Sequence, residues 1–448
     1  MIQSMALISE PDTRTGMPPG PPLPRAVQTA AFLFFPRTFF DACRKRYGDA
    51  VTFGTAFDSK FVMLFEPELV KQLFQGGNEQ LRAGEANALL GPILGQRSVL
   101  LLDGAEHLRH RRLLLPPFHG RRMQAYEDTV RAAADRAIDS WPATGEFPLH
   151  PSMQALTLEV IMRAVFGMEA GPREDELRER IREMLDPIGR PFSILLMMLT
   201  AGRFGPNRGA TERFEVERRR VDELLFAEIA DRREQPDLED RDDVFSALLL
   251  ARDEDGEALT DQEVRDELVT LLVAGHETTA TGLAWAFDLL LHTPHVLTRL
   301  REDLGDDEYL DAVVKETLRI RPVIPGVGRV VRGEPFALNG YTIPPGVEIN
   351  PSITTIHRRA DRYPQPAEFR PERFLGPDAP DTYTWIPFGG GTRRCLGASF
   401  ALMEMRVVVR RVLERCELTP VGPLEKVQRR AITLVPKNGV PVRLARRS

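Results

Sequence analysis

Cysteine is scarce in this chain: Cys43, Cys395 and Cys416 are the only three in 448 residues. Three cannot build a disulfide framework, and none stands in the paired spacing of a zinc site, so a reducing compartment is expected. Long apolar runs are lacking too. A membrane span needs about 20 mostly apolar residues. The uncharged run Ala26 to Pro36 ends at a proline, and the run Leu268 to Leu291 is interrupted by His276, Glu277 and Asp288. The second reads as a buried helix, and no transmembrane anchor is expected. The opening MIQSMALISEPDTRTG has no charged start followed by an apolar stretch, so it does not read as a signal peptide and a cytoplasmic protein is expected. No large excess of one charge is present: 59 basic against 65 acidic residues leave a net charge of -6, so the global balance points to neither nucleic acid nor an anionic membrane. No internal repeat is visible. What remains, 42% hydrophobic and 28% charged residues, excludes a mostly disordered chain and permits a large buried core.

The segment Met17 to Pro24, MPPGPPLP, is proline-rich and predicts an extended stretch that separates a disordered lead, residues 1–24, from a single folded body, 25–448. Val51 to Phe53 and Phe61 to Phe65 predict a small hairpin. From Glu68 to Leu304 the texture is mostly helical, with three- and four-residue apolar spacing in Leu156 to Phe166, Asp175 to Leu185, Thr211 to Arg232 and Val244 to Ala251. Thr260 followed by Glu263 is a capping box, and the pattern then runs without proline to His292, a helix roughly 45 to 50 Å long. Its second half is apolar nearly all round, as a helix through a core would be. Beyond Arg321 short β-type runs appear, Arg329 to Val331 and Val347 to Ile349, then a final helix, Leu396 to Leu413, and a β-rich tail. The fold class is α+β, predominantly α-helical.

Four groups of residues could carry chemistry. The stretch Phe388 to Gly397, FGGGTRRCLG, sets Cys395 in a glycine-rich loop just before a helix. Glycines permit close approach of a flat ligand, and a helix N-terminus favours a thiolate. A lone cysteine at such a junction is more often structural, so the neighbours decide. In the long helix, Ala274, Gly275, His276, Glu277, Thr278 and Thr279 combine small residues with an acid beside an alcohol, a pair able to deliver protons. Mid-helix threonines also commonly bond a preceding carbonyl. Glu316 and Arg319 share one helix face, as solvated ion pairs often do. His107 and Arg111 share another.

The cysteine stretch resembles the heme-binding loop of the cytochrome P-450 family, with Phe388, Gly391, Arg393, Cys395 and Gly397 at the fixed positions. The long-helix segment resembles that family's oxygen-activation motif, and Glu316, Arg319 and the Pro371 to Phe374 segment resemble its buried network. The resemblance covers nearly the whole chain. It implies a cytochrome P-450 fold, with the long helix over the heme and small β-sheets. Cys395 would be the axial ligand of heme b, Phe388 would pack beside it, and His107, Arg111, Arg329 and Arg393 would contact the propionates. Ala274 and Gly275 would leave room for dioxygen, Glu277 and Thr278 would be catalytic, and Glu316, Arg319 and Arg373 would support the heme loop. His276 would take a packing or polar role, and His357 none in catalysis.

The implied reaction inserts one atom of dioxygen into an apolar small molecule, by hydroxylation or epoxidation. Electrons would come ultimately from NAD(P)H, through a ferredoxin or flavodoxin with its reductase. A peroxide-driven enzyme would not need both Glu277 and Thr278, and a gas sensor would need an output domain. Aliphatic candidate walls are Arg82 to Leu100, Phe192 to Leu199, Leu271, Ala274, Val323 to Val327, Thr433 and Leu434, suiting a terpenoid, steroid, fatty acyl or polyketide-like substrate. Arg109, Arg112, Arg394, Arg406 and Arg410 are expected to form a basic docking face for an acidic carrier. A monomer is expected.

Overall fold

Thr260 starts the helix that organises the molecule. Its backbone N–H donates to Glu263 Oε2 at 2.7 Å, and the Glu263 N–H donates back to Thr260 Oγ1 at 3.3 Å, so the capping box is closed. The helix then runs over Asp261–Leu291 and is buried along most of its length. A computed structural model describes residues 16–56, 60–120, 122–142, 144–168, 171–185 and 208–446, and the candidate wall segment 192–199 lies outside them.

Around this central helix pack helix Leu149–Ala164, helix Asp307–Ile320 and the C-terminal helix Ala398–Arg415, which share one large apolar core. Small residues set the distances of approach. A side chain at Gly282 would press on the Met405 sulfur at 3.1 Å, and one at Gly275 would meet Ile161 Cδ1 at 2.9 Å. Phe400 holds the C-terminal helix by edge-to-face contacts with Phe118 and Tyr126, at 6.2 and 5.6 Å between centroids. At its far end Arg411 and Arg415 both pair with Asp135.

The β structure is peripheral. The expected hairpin forms, with Ala50–Phe53 antiparallel to Phe61–Leu64. It continues into a sheet in the order Ala50–Phe53, Phe61–Leu64, Glu348–Pro351, Arg329–Val331 and Leu81–Arg82, with its second and third strands parallel. The C-terminal part supplies the hairpin Val427–Arg430 with Thr433–Pro436, and the strands Cys416–Pro420 and Pro441–Arg446, the latter also pairing with Gly145–Pro148. The last helix begins at Ala398, two residues later than its pattern suggests, because Gly391–Arg393 turns as a short 3-10 helix ahead of it. None of the described helices is long and apolar enough to cross a membrane.

Candidate functional site

Midway along the central helix the burial is interrupted. Ala274 is exposed, while Leu271, Gly275 and Thr278 are half-buried, in a helix whose flanking turns are closed. Positions 271, 274, 275 and 278 fall on one stripe. Gly275 sits at its edge: a side chain there would run into Ile161, so this glycine serves the crossing of two helices and Ala274 fronts the open stripe.

Thr278 Oγ1 donates to the Ala274 carbonyl at 2.6 Å. Glu277 points elsewhere, toward helix Leu149–Ala164 and the C-terminal hairpin. Its Oε2 accepts from Gln154 Nε2 at 2.5 Å, while His150 Nε2 and Arg430 Nη1 stand 4.0 and 3.7 Å from Oε1. Oε1 is buried without a hydrogen bond, and burial raises the pKa of this carboxyl, opposed by Gln154 and Arg430. His276 takes no place on the stripe; its carbonyl accepts from Thr157 Oγ1 at 3.0 Å.

Cys395 keeps accessible surface although protein surrounds it. Its N–H donates to the Phe388 carbonyl at 2.9 Å, which closes the loop. A position just before a helix N-terminus favours a lowered thiol pKa. Burial raises it instead, and the Gly397 N–H, Arg111 and Arg394 oppose that rise. The loop glycines also differ in use from the expectation. Side chains at Gly390 and Gly391 would collide with the ring and carbonyl of Phe74, and Gly391 has φ +65°, so these two permit contact with helix Pro67–Gln75. Phe388 stacks edge-on against Trp385 at 5.9 Å, and Trp385 against Phe374 at 5.7 Å, an aromatic ladder from the Pro371–Phe374 turn to the cysteine loop.

Beside the thiol lie three arginines and a neutral histidine. His107 is buried with Nδ1 lacking a hydrogen bond, and burial together with Arg393, Arg111 and Arg329 lowers its pKa to about 3. Burial, reinforced by the neighbouring cations, brings Arg329 and Arg393 down to about 10, with Asp103 opposing in both. Arg393 donates to the carbonyls of Val99 and Leu102 and to Asp103, but its Nε has no partner. Arg111 makes no side-chain hydrogen bond among the described residues and interacts electrostatically with Cys395. One carboxylate does not balance these groups. A porphyrin bearing two carboxylates would fit that imbalance of charge and donors.

The supporting network is tight. Glu316 Oε2 accepts from Arg319 Nε at 2.6 Å, and its Oε1 from Arg319 Nη2 at 2.8 Å, Arg373 Nε at 3.3 Å and the Arg370 N–H at 2.9 Å. Sequence reasoning missed the part taken by His357. Wholly buried, and held neutral by burial and Arg319 with its pKa near 3, it accepts the Ile386 N–H at 2.9 Å, just ahead of Phe388. Its only sequence signal was its place ahead of the Pro371 motif.

The expected basic docking face is largely neutralised. Arg109 pairs with Asp253 at 2.6 Å, Arg112 with Glu254 at 2.5 Å, Arg406 with Asp311 at 3.8 Å, and Arg410 with Asp307. Arg394 is exposed without a side-chain ion pair among the described residues.

The family model for cytochrome P-450 matches residues 18–441. The chain is 42% identical over 441 residues to cytochrome P-450 135B1 of Mycobacterium tuberculosis, covering 96% of this chain and 91% of the relative. It is 39% identical to cytochrome P-450 135A1 of the same organism, with 96% and 95% covered. Among solved structures it is similar to the retinoic acid-bound cyanobacterial CYP120A1, at a TM-score of 0.81 and 23% identity over 96% of this chain and 100% of that one. That last likeness concerns the fold. The match over nearly the whole chain, on a molecule that sets an enclosed thiol beside uncompensated cations, makes this chain a member of the cytochrome P-450 family, a heme-thiolate monooxygenase.

Proposed function

We propose that Cys395 is the thiolate ligand of the heme iron, and that this chain oxygenates an apolar small molecule. The observation that carries the reading is the juxtaposition of Arg111 with both Cys395 and the His107, Arg329 and Arg393 cluster, in which cations outnumber anions. When bound, the heme supplies dioxygen activation, and thiolate donation favours O–O cleavage. The chain's own residues bind, orient and protonate. His107, Arg111, Arg329 and Arg393 hold the propionates. Phe388 packs beside the ligand loop. Ala274 leaves the open stripe, and Glu277, whose carboxyl pKa burial raises, and the Thr278 hydroxyl are the acid and the alcohol that deliver protons.

An apolar substrate, of terpenoid, steroid, fatty acyl or polyketide type, is supported by Leu271 and Ala274 on the stripe. It is also supported by the C-terminal hairpin, whose Leu434 N–H donates to the Val323 carbonyl at 2.8 Å. Electrons are proposed to come from NAD(P)H through a ferredoxin or flavodoxin, with Arg394 as the open cation at the docking face. The protein is proposed to act as a cytoplasmic monomer, with 25–448 as one catalytic unit. The test is the reduced carbon monoxide spectrum. The native protein should give the far-red-shifted Soret band of a thiolate ligand, and Cys395→Ala should lose it while Cys43→Ala and Cys416→Ala keep it. A band that survives Cys395→Ala would overturn the assignment.

A further inference from the structure

Val99 is gripped from two sides. Its N–H donates to Glu267 Oε1 at 2.8 Å, and its carbonyl accepts from Arg393 Nη1 at 3.1 Å. One residue therefore joins the central helix to the arginine of the cysteine loop. The neighbouring loop positions are tied to the same helix: the Arg97 N–H donates to Asp266 Oδ2 at 2.9 Å, and Thr270 Oγ1 donates to Ser98 Oγ at 2.7 Å. Glu267 is fully buried, and its Oε1 also meets His110 Nδ1 at 2.7 Å. The other ring nitrogen of His110 lies 3.2 Å from Glu263 Oε1. His110 stands on the helix Gly104–Leu114, three residues after His107 and next to Arg111.

A buried carboxylate is a costly way to satisfy one backbone N–H, since a neutral amide would accept the same bond without the desolvation penalty. Glu267 Oε2 moreover has no partner. What an ionisable group gains there is a stronger grip on both His110 and Val99, since hydrogen bonds to a charged acceptor are roughly twice as strong as neutral ones. We propose that Glu267 and His110 are positioning residues: together they fix Val99, and Val99 fixes Arg393 for the carboxylates of the cofactor. This rests on the reading that Arg393 contacts a propionate.

The clamp responds to protons. Burial raises the Glu267 carboxyl to about 7, opposed by the bonds from His110 and Val99 and helped by Asp266. The charged groups around it are few. His110, with Arg109 beyond it, faces it from the His107 helix; Asp266 and Glu263 belong to its own helix; Arg393 lies across Val99. The 97–99 loop presents backbone, because the Arg97 side chain turns to Glu106. Ionised Glu267 is the better acceptor, so the grip on Val99 tightens as pH rises through about 7. The sign for stability is opposite. A raised carboxyl pKa contributes stability below the ordinary carboxylate range that is lost as pH rises through about 7. The clamp exchanges some stability for position.

The experiment uses the heme-loaded enzyme and two readouts: amide hydrogen exchange of residues 97–103, and the rate of heme transfer to an excess of apomyoglobin, each followed across neutral pH. In the native protein both rates, once exchange is corrected for its intrinsic pH dependence, should fall as pH rises through about 7. Glu267→Gln should flatten both profiles and, on the alkaline side, speed heme loss about tenfold, the factor set by one hydrogen bond to a charged group. A native pH step retained in Glu267→Gln would overturn the proposal, as would faster exchange with unaltered heme loss. Arg393→Lys separates the two readings: unaltered heme loss in that variant would refute the propionate contact itself, whereas a loss seen there but absent in Glu267→Gln would refute only the clamp. If Glu267→Gln does not fold, His110→Gln with the same two readouts decides.

Discussion

Replacing Glu316 by alanine should cost this protein a large share of its stability. The carboxylate accepts four hydrogen bonds, two from Arg319 and one each from Arg373 and the Arg370 backbone, with no accessible surface of its own. Arg319 spends its remaining donors on the carbonyls of His357, Pro366 and Glu368, and Arg373 on those of Pro364 and Gln365. Those carbonyls solvate the guanidinium groups but carry no counter-charge. Glu316→Ala thus leaves two buried cations uncompensated, a loss of about 3 to 5 kcal/mol. Set against a typical total of about 5 to 15 kcal/mol, that is roughly a fifth or more of what holds the chain folded. Glu316→Gln keeps an acceptor and loses the charge, so about 1.5 to 3 kcal/mol is expected. The assay is urea unfolding at neutral pH by far-ultraviolet circular dichroism, paired with heme content. Glu316→Ala within about 1 kcal/mol of the native protein would refute the reasoning. A triple replacement of Glu316, Arg319 and Arg373 by apolar residues of similar size should recover stability, because burying the ions is itself costly. It should not recover heme content if the carbonyl contacts of the arginines shape the segment leading to Phe388.

Thr278→Ala should still bind heme and substrate, while product per reductant falls and free hydrogen peroxide rises; roughly 100- to 10,000-fold is the upper range of the effect, and unchanged coupling would make the hydroxyl a packing group. Gln154→Leu removes a hydrogen bond that lowers the Glu277 pKa, so the pH profile of turnover should move to higher pH, and a stationary profile would separate Glu277 from the rate. His357, depressed to about 3 by burial and Arg319, contributes stability that is present above its ordinary value of 6.5 and lost as pH falls through about 3. His357→Gln should therefore be less acid-sensitive than the native protein over that window, as measured by unfolding at stepped pH.

The sequence by itself determined the local elements and the identity of the chemistry. Thr260 and Glu263 mark a helix start through bonds between neighbours, and apolar spacing marks the helix body, so neither needed the rest of the chain. The cysteine loop was legible because its residues are contiguous. The tertiary structure decided what each small residue and each charge is for. In sequence Gly275 is only a small residue, and that a side chain there would meet Ile161 of helix Leu149–Ala164 is visible only in the fold; Gly390 and Gly391 likewise lie against Phe74. The arginines of the supposed basic face are ordinary surface cations in sequence. Their partners Asp253, Glu254, Asp307 and Asp311 arrive from other segments and cancel most of the field. His357 and Glu267 gave almost no signal, because their roles depend on a backbone N–H supplied from 29 and 168 residues away. Burial and long-range pairing fix a charged group's energy, and a linear pattern records neither.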